Sequence, residues 1–325
     1  MESDRIREAV ATTNRLKAGP IQPVCFPLAL GAVRAGVELG AAALDDALRA
    51  RLIRRGFPDL LNRLRPAITI PAPQAGDEPL DGRRRPGEAM YLDEIAASMP
   101  PLASAVADAI RDGALALALG GDHALSLGTL AGAAATAERL AVLWIDAHGD
   151  INTPETSPSG HVHGMPLAAA LGRGPSVLTD LFAGTPPIRP EDTVMLGLRD
   201  LDPGERAWLA EGTIHYATMA HIDDRGLDAT IADAIDRLRA SGADAVHVSF
   251  DLDVLDPLLL PGTGTRVYGG LTFREAARLL RMLRDSDLPI RSLDWVELNP
   301  ALDPSGGSTA VAAELLAIAL GETTD

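Results

Sequence analysis

Length, composition and charge narrow the classes of protein to which this chain of 325 residues can belong. Hydrophobic residues make up 46% of it, enough for a sizeable core, but apolar runs such as residues 114–119 are far shorter than the ~18 residues that span a bilayer. A net charge of −16 with only 3% aromatic residues argues against a nucleic-acid partner and suits a small cationic substrate.

Apolar runs of strand length alternate with longer amphipathic segments. The strand candidates are residues 23–28, 67–70, 114–119, 141–145, 193–197, 213–217, 245–250 and 290–296. Helices are predicted near residues 41–55, 92–111, 124–139, 203–210, 227–240, 272–286 and 308–320. Most strand candidates are continuously apolar, as is typical of parallel strands covered on both faces. The alternation predicts a three-layer α/β/α fold with a mainly parallel sheet.

No internal repeat and no clean linker divides the chain, so we expect one catalytic domain over residues 1–325. Residues 1–20 are interpreted as an N-terminal extension and residues 71–91, which are rich in Pro, Gly and Arg, as a surface loop. The extension lacks the apolar core of a signal peptide. Cys25, the only cysteine, lies in an apolar run that predicts a buried thiol. Both features indicate a cytoplasmic protein.

Three short segments carry candidate metal ligands: Gly-Gly-Asp-His at 120–123, Asp-x-His-x-Asp at 146–150 and Asp-x-Asp at 251–253. The ligands they offer are His123, Asp146, His148, Asp150, Asp251 and Asp253. Alternate residues of an extended segment point the same way, so each segment can converge on one point. Imidazoles and carboxylates without sulfur suit manganese or a related divalent ion. Because some carboxylates must bridge, the pattern predicts a two-metal cluster that activates water.

The candidate ligands each follow a predicted strand, and Glu297 follows another one. In open α/β sheets, ligands bind at the carboxyl ends of the strands. The alternative is a set of structural roles, because aspartates in such loops often cap helices, and Asp122 before the predicted helix at 124 is a candidate cap. Four strand ends that all deliver acids or imidazoles favour the metal site.

Several motifs connect this chain with a known family: GGDHALSLG, DAHGDINTPETSPSGHVHGMP, SFDLDVLDP, PGTGT, GGLTFRE and VELNP. With them the chain resembles the arginase (ureohydrolase) family from about residue 24 to its C-terminus. The resemblance implies a parallel eight-stranded sheet between helices, a binuclear manganese site, and hydrolysis of a guanidino group to urea and an amine. It also implies a homotrimer or homohexamer.

Transferred by motif, the resemblance implies that one manganese ion is held by His123, Asp146, Asp150 and Asp251. The second would be held by His148, Asp146, Asp251 and Asp253, with a hydroxide bridging the two ions and attacking the guanidinium carbon. Asp150 would then pass a proton to the leaving amine, and His163 would exchange protons with solvent. Glu297 would face the guanidinium through paired hydrogen bonds, although a loop cap is its structural alternative.

The same resemblance assigns the amino-acid end of the substrate to two loops. The positions of Asn152, Ser157 and Ser159 resemble those that hold an α-carboxylate. Asp202 would accept the α-ammonium, with Asp200 and Glu205 acting through water, although Asp202 before Pro203 also fits a helix N-cap. Thr265 would orient the substrate near the metals, and a turn-stabilising role is its alternative.

Some positions depart from the family pattern. His161, which we include among the substrate-binding residues, stands where arginases usually carry Asn, Val254 replaces a common Gly, and Arg266 replaces the usual Pro. We therefore expect hydrolysis of L-arginine to L-ornithine and urea, with N-hydroxy-arginine, an arginine homologue, guanidinobutyrate or agmatine as alternative substrates. A single-metal deacetylase would need neither His123 nor Asp253. A non-catalytic subunit would need a broken ligand set. Arg266 is predicted to point away from the metals and to pair with an acid at the rim of the site or at a subunit contact, with a solvated surface position as the alternative.

Overall fold

The protein, seen as a computed structural model, is described over residues 13–74 and 87–323. One parallel sheet of eight strands forms its centre. The strands are β1 (Ile21–Phe26), β2 (Ile68–Thr69), β3 (Leu115–Gly120), β4 (Leu140–Ile145), β5 (Thr193–Leu198), β6 (His215–Thr218), β7 (Ala245–Asp251) and β8 (Ile290–Val296). Their order across the sheet is β2-β1-β3-β8-β7-β4-β5-β6.

Helices connect the strands. They are α1 (Gly40–Arg55), α2 (Pro58–Arg63), α3 (Leu92–Arg111), α4 (Ser126–Ala134), α5 (Pro166–Ala170), α6 (Ser176–Thr179), α7 (Pro203–Leu209), α8 (Met219–Arg225), α9 (Leu227–Ala240), α10 (Phe273–Asp285) and α11 (Gly307–Leu320). Short 3-10 turns lie at Val37–Leu39, His123–Leu125, Val162–Gly164, Asp180–Phe182, Pro190–Asp192, Leu252–Val254 and Pro300–Leu302. Within the described ranges, no helix is both long and apolar enough to cross a membrane.

Each face of the sheet supports its own hydrophobic core. Successive side chains of a strand point to opposite faces. On one face, strand residues such as Leu117 and Leu119 pack with α1, α2, α9, α10 and α11. On the other face, the alternate positions Ala116 and Ala118 pack with α3, α4 and α5. The predicted three-layer fold with a parallel sheet is therefore confirmed. Strand β4 is fully buried, as its apolar run predicted, and β7 and β8 are fully buried although they also carry polar residues.

The structure differs from the sequence-based prediction in several elements. The helix predicted at 124–139 begins as a 3-10 turn and continues only as α4. Helices α2, α5, α6 and α8 were not predicted, because segments of four to seven residues are too short to show a helical period. Parts of the predicted extension (residues 1–12) and surface loop (residues 75–86) lie outside the described residues.

The described end of the predicted extension packs into the body of the protein. Asn14 and Arg15 are buried. The Asn14 amide donates to the carbonyl of Leu283 at 2.9 Å, and the Arg15 guanidinium donates to the carbonyl of Ala114 at 2.7 Å. These two polar side chains thus satisfy carbonyl groups near the end of α10 and just after α3, while the assignment of residues 1–20 to an N-terminal extension stays a prediction.

Candidate metal centre and substrate cavity

The candidate ligands lie at the carboxyl ends of four neighbouring strands, β3, β8, β7 and β4. His123 follows β3, and Glu297 follows β8. Asp251 ends β7, and Asp146 follows β4 directly. Because the strands are parallel and adjacent, their carboxyl ends meet at one edge of the sheet, where side chains from distant parts of the chain converge.

Within the Gly-Gly pair before His123, position 121 requires glycine because the backbone of Leu28 lies too close for a side chain. A Cβ atom on Gly121 would overlap the carbonyl oxygen of Leu28. The carbonyl of Gly121 accepts a hydrogen bond from the amide of Glu297 at 2.9 Å. Asp122 caps the following turn by accepting from the amide of Ala124 at 2.9 Å, so the capping alternative holds for that residue. The motif thus holds His123 and Glu297 against one another.

The buried imidazole of His123 faces a ring of carboxylates. Its Nδ1 atom lies 3.2 Å from Asp146 Oδ2 and 3.0 Å from Oδ2 of both Asp150 and Asp251. It makes no well-directed hydrogen bond in the described structure. The other ring nitrogen, Nε2, lies 2.7 Å from the Ser249 hydroxyl. An orphaned, fully buried nitrogen that faces three carboxylate oxygens is the donor set of a cation site.

A second group of ligand atoms adjoins the first. The Nδ1 atom of His148 lies 3.1 Å from Asp253 Oδ2 and 3.5 Å from Asp146 Oδ1. Asp146 therefore directs one carboxylate oxygen to each histidine. His123, Asp146 and Asp251 form one group within metal-holding distance, and Asp146, His148 and Asp253 form the other. This arrangement fits two cations that share the Asp146 carboxylate.

Local hydrogen bonds orient these carboxylates. Asp146 Oδ1 accepts from the amide of His148, and Asp251 Oδ1 accepts from the amide of Asp253, both at 2.7 Å. The Thr265 hydroxyl donates to Asp253 Oδ2 at 2.9 Å. Asp150 and Glu297 have left-handed backbone φ angles of 54° and 66°. Such conformations are strained for residues other than glycine and cluster at functional sites.

The crowding of buried acids shifts their protonation. Burial, and then the charge of Asp146, raises the pKa of Asp150 to about 6. Burial, and then the charges of Asp253 and Asp146, raises the pKa of Asp251 well above its usual value. Neighbouring carboxylates cannot all ionise in a buried site without positive charge beside them. The cluster therefore favours bound cations.

His163 and Glu297 form a pair beside the cluster. Their Nδ1 and Oε1 atoms are 3.2 Å apart, and the same Oε1 accepts from the amide of His123 at 2.9 Å. Burial lowers the pKa of His163, but the hydrogen bond and charge of Glu297, helped by Asp150 and Asp122, outweigh burial and raise it to about 9. His163 is therefore an imidazolium at neutral pH.

A cavity of about 220 Å³ opens onto the cluster. Most of the predicted catalytic and substrate-binding residues line it, namely Asp150, Asn152, Ser157, Ser159, His163, Asp200, Asp202, Glu205 and Thr265. The metal-ligand candidates His148, Asp251 and Asp253 also reach it. Most of the residues that the sequence predicted for catalysis and substrate binding therefore lie around one cavity.

His161 and Glu297 are the exceptions, because neither side chain lines this cavity. In an extended segment His161 would share one face with Ser159 and His163, which both line it. The buried His161 ring packs edge-on against His163, with ring centroids 5.8 Å apart. The expected face is lost because Gly160 has a φ of 75° and a 3-10 turn begins at Val162. His161 therefore contacts His163 in this structure, and its role in substrate binding stays a prediction.

The loop at the start of α7 lines the cavity and is hydrogen-bonded to the loop of Asn152. The Asn152 amide donates to Asp202 Oδ2 at 2.8 Å, which joins the two loops predicted for the amino-acid end. The Glu205 carboxylate accepts from the amides of Asp202 at 2.8 Å and Ile151 at 3.2 Å. Asp202 also serves as the N-cap residue of α7. Burial raises the pKa of Glu205 to about 8.

Comparison with known proteins identifies the family. The sequence profile of the Arginase family matches residues 22–321. This chain belongs to the Arginase family. It is 41% identical to the arginase of Bacillus caldovelox over 308 residues, which is 93% of this chain and 98% of that protein. The arginase of Bacillus subtilis is 39% identical over 305 residues, with the same coverage of each chain.

Solved structures agree. The native structure of the Bacillus caldovelox arginase superposes with a TM-score of 0.85 at 39% identity, covering 95% of this chain and all of that one. The predicted family resemblance is therefore confirmed over the fold and over nearly the whole described chain. The protein is an arginase-family hydrolase of the guanidino C–N bond. The roles predicted for single site residues stay predictions.

The sequence did not indicate several side chains that contact the candidate ligands of this arginase-family site. Trp144 stacks on the His123 ring at 4.2 Å and donates to Asp146 at 3.0 Å. Ser249 contacts His123 from β7. The buried side of the Arg199 guanidinium donates to the carbonyls of Asp253 at 2.6 Å and Val267 at 2.9 Å. The inward-facing strand positions of Trp144 and Ser249 could have indicated these contacts from the sequence. Nothing in the sequence pattern indicated the contacts of Arg199.

Proposed function

We propose that this protein hydrolyses L-arginine to L-ornithine and urea at a site that holds two Mn(II) ions per subunit. The observation that carries the proposal is the buried His123 Nδ1, orphaned among three carboxylate oxygens, next to a second ligand group that shares Asp146. The chain's 41% identity with an arginase over 98% of that protein's length supports the choice of reaction.

Nitrogen and oxygen donors without sulfur suit manganese. His123, Asp146, Asp150 and Asp251 would hold one ion. The other would be held by His148, Asp146, Asp251 and Asp253. When bound, the ions would supply an activated water as the nucleophile.

Glu297 would receive the guanidinium of the substrate. Its Oε1 atom is engaged by His123 and His163, whereas Oε2 has no hydrogen bond among the described residues. Oε2 lies 3.9 Å from the position that a Cβ atom on Gly264 would occupy, which is an ordinary van der Waals distance. A planar guanidinium pairs well with a carboxylate through charge-assisted hydrogen bonds. Glu297 would thus hold the reacting carbon beside the ligand cluster.

Proton transfer falls to Asp150 and His163, which both line the cavity. Asp150 can hold the proton released from the attacking water and pass it to the leaving amine. His163, protonated at neutral pH, can return a proton from the solvent side. Addition of one water to the guanidinium then yields urea and the free amine of ornithine.

Substrate choice would come from the two loops joined by the Asn152–Asp202 hydrogen bond. The hydroxyls of Ser157 and Ser159 and the amide of Asn152 suit an α-carboxylate, and the carboxylates of Asp200 and Asp202 suit an α-ammonium. Agmatine lacks the α-carboxylate. The cavity thus favours an amino acid.

We also propose a cytoplasmic homotrimer or homohexamer with no nucleic-acid or membrane partner. The acidic surface and the scarcity of aromatic residues support the lack of a nucleic-acid partner. The buried Cys25, whose pKa burial raises to about 11, suits a reducing compartment where no disulfide is needed. Light scattering at micromolar concentration tests the assembly, and a monomer would contradict it.

Urea release from a panel of guanidino compounds tests the proposed reaction. The manganese-loaded protein should release urea from L-arginine far faster than from agmatine, guanidinobutyrate, N-hydroxy-arginine or an arginine homologue. Asn152→Ala should raise KM for L-arginine and leave KM for agmatine unchanged, because only arginine carries the α-carboxylate. Faster turnover of another member of the panel would replace L-arginine as the substrate.

A further inference from the structure

Two arginines lie at a second cavity beside the catalytic one. This cavity, of about 370 Å³, is lined by Arg34, Gly264, Arg266 and Leu302. Their chain neighbours Val33 and Thr265 line the catalytic cavity. Neighbouring residues of two loops therefore line the two cavities, and the two arginines line the cavity that has none of the predicted ligands in its lining.

Neither guanidinium is neutralised within the described chain. No carboxylate of the described residues lies within 4.0 Å of Arg34 or Arg266 in an ion pair, whereas Arg51, Arg139 and Arg278 each have one. The Nε atom of Arg266 donates to the carbonyl of Thr263 at 3.3 Å, which orients the side chain. The expected acid partner of Arg266 is absent from the described structure.

The backbone that carries the two arginines is held in place by one residue. The side-chain amide of Asn299 donates to the carbonyl of Ala35 at 3.0 Å, directly after Arg34. The backbone amide of Asn299 donates to the carbonyl of Gly262 at 2.7 Å, in the loop of Arg266. Asn299 is itself buried and follows Glu297 by two residues. Both loops are thus tied to the end of β8, which makes the cavity a built feature of the fold.

We propose that this cavity binds a small oxyanion between the guanidinium groups of Arg34 and Arg266. Planar guanidinium groups match the oxygen pairs of carboxylate, phosphate and sulfate, and they are the preferred cation for such recognition. Both exposed arginines line a cavity that has no carboxylate among its described lining residues, in a chain that is acidic overall. A free anion of this class would neutralise positive charge beside a cationic substrate.

The probe for this site is sulfate, which stays fully ionised at neutral pH. The manganese-loaded, full-length protein is titrated calorimetrically with sodium sulfate, in sodium chloride of matched ionic strength. Saturable binding of one sulfate per chain is expected. Arg34→Ala and Arg266→Ala should each raise Kd at least about tenfold, as expected for loss of a charge-assisted hydrogen bond. Arg266→Lys, which keeps the charge but loses the planar group, should bind with intermediate affinity.

Arg54→Ala is the matched control, because Arg54 is an exposed arginine of α1 with no ion pair to a described residue. It should bind sulfate as the parent does. Circular dichroism and metal content establish that each variant is folded and loaded. Absence of saturable binding in the parent, or an equal Kd in Arg34→Ala, Arg266→Ala and the parent, overturns the proposal. A third result also overturns the proposal: Arg266→Ala raises KM for L-arginine but not for agmatine and leaves sulfate binding unchanged. The cavity would then bind the substrate rather than a separate anion.

Discussion

The Nδ1 atom of His163 lies 3.2 Å from Oε1 of Glu297. This contact raises the pKa of the His163 imidazole to about 9. In Glu297→Gln the negative charge is lost while the shape is kept, so the pKa of His163 should fall. Histidine NMR titration of the metal-free protein measures it, with His163→Asn to assign the signal. The titration of His215, paired with Asp233 at the surface, should stay unchanged. An unaltered His163 pKa would refute the contact.

Removal of the shared carboxylate should abolish metal binding and activity together. Asp146→Ala leaves both histidines without the oxygen that joins their ligand groups. We expect loss of at least one bound ion per subunit and a fall in urea release of at least about a hundredfold, comparable to loss of one major transition-state contact. Metal analysis and a urea assay measure the two effects. Asp108→Ala, at an exposed position of α3, is the control. Full activity in protein shown to be metal-free would contradict the two-metal site.

Ser249 should tune the metal site through His123. Its hydroxyl lies 2.7 Å from Nε2, where it orients the ring and selects the tautomer. Ser249→Ala should weaken manganese binding about 10–100-fold, as measured by competition with a chelator. Ser292→Ala provides a matched control, because this buried serine also contacts a histidine, His247, which is not a predicted ligand. Equal metal affinity in the two variants would show that Ser249 has no specific role in metal binding.

Arg199 should stabilise the fold and the Asp253 loop at once. Arg199→Met leaves carbonyl groups of that loop without donors, so the free energy of unfolding should fall by about 1–3 kcal/mol. Manganese affinity should fall about tenfold. Arg63→Met is the control, since Arg63 also donates to backbone carbonyls, those of Gly19 and Leu320, but far from the cluster. It should cost stability and leave metal affinity unchanged. Reduced metal affinity in both variants would point to a general effect of unfolding.

Local sequence patterns were enough to predict the layers of the fold and the loops that carry the ligands. Continuous apolar runs identified parallel buried strands, because such strands are covered on both faces. Acids and histidines directly after those runs then had to lie at one edge of the sheet. The short helices and the hidden position of His161 were not predictable in this way, since a bend at Gly160 and a 3-10 turn have no periodic signal.

The sequence by itself determined that His123, Asp146 and Asp251 lie at strand ends, and the family motifs assigned their roles. Only the tertiary structure decided that β3, β8, β7 and β4 are neighbours, which makes Asp146 face both histidines. It alone placed the Arg199 guanidinium among backbone carbonyls and opened a cavity between Arg34 and Arg266. Strand order and side-chain contacts across the sheet depend on pairings between residues far apart in the chain. Local propensity does not encode those pairings.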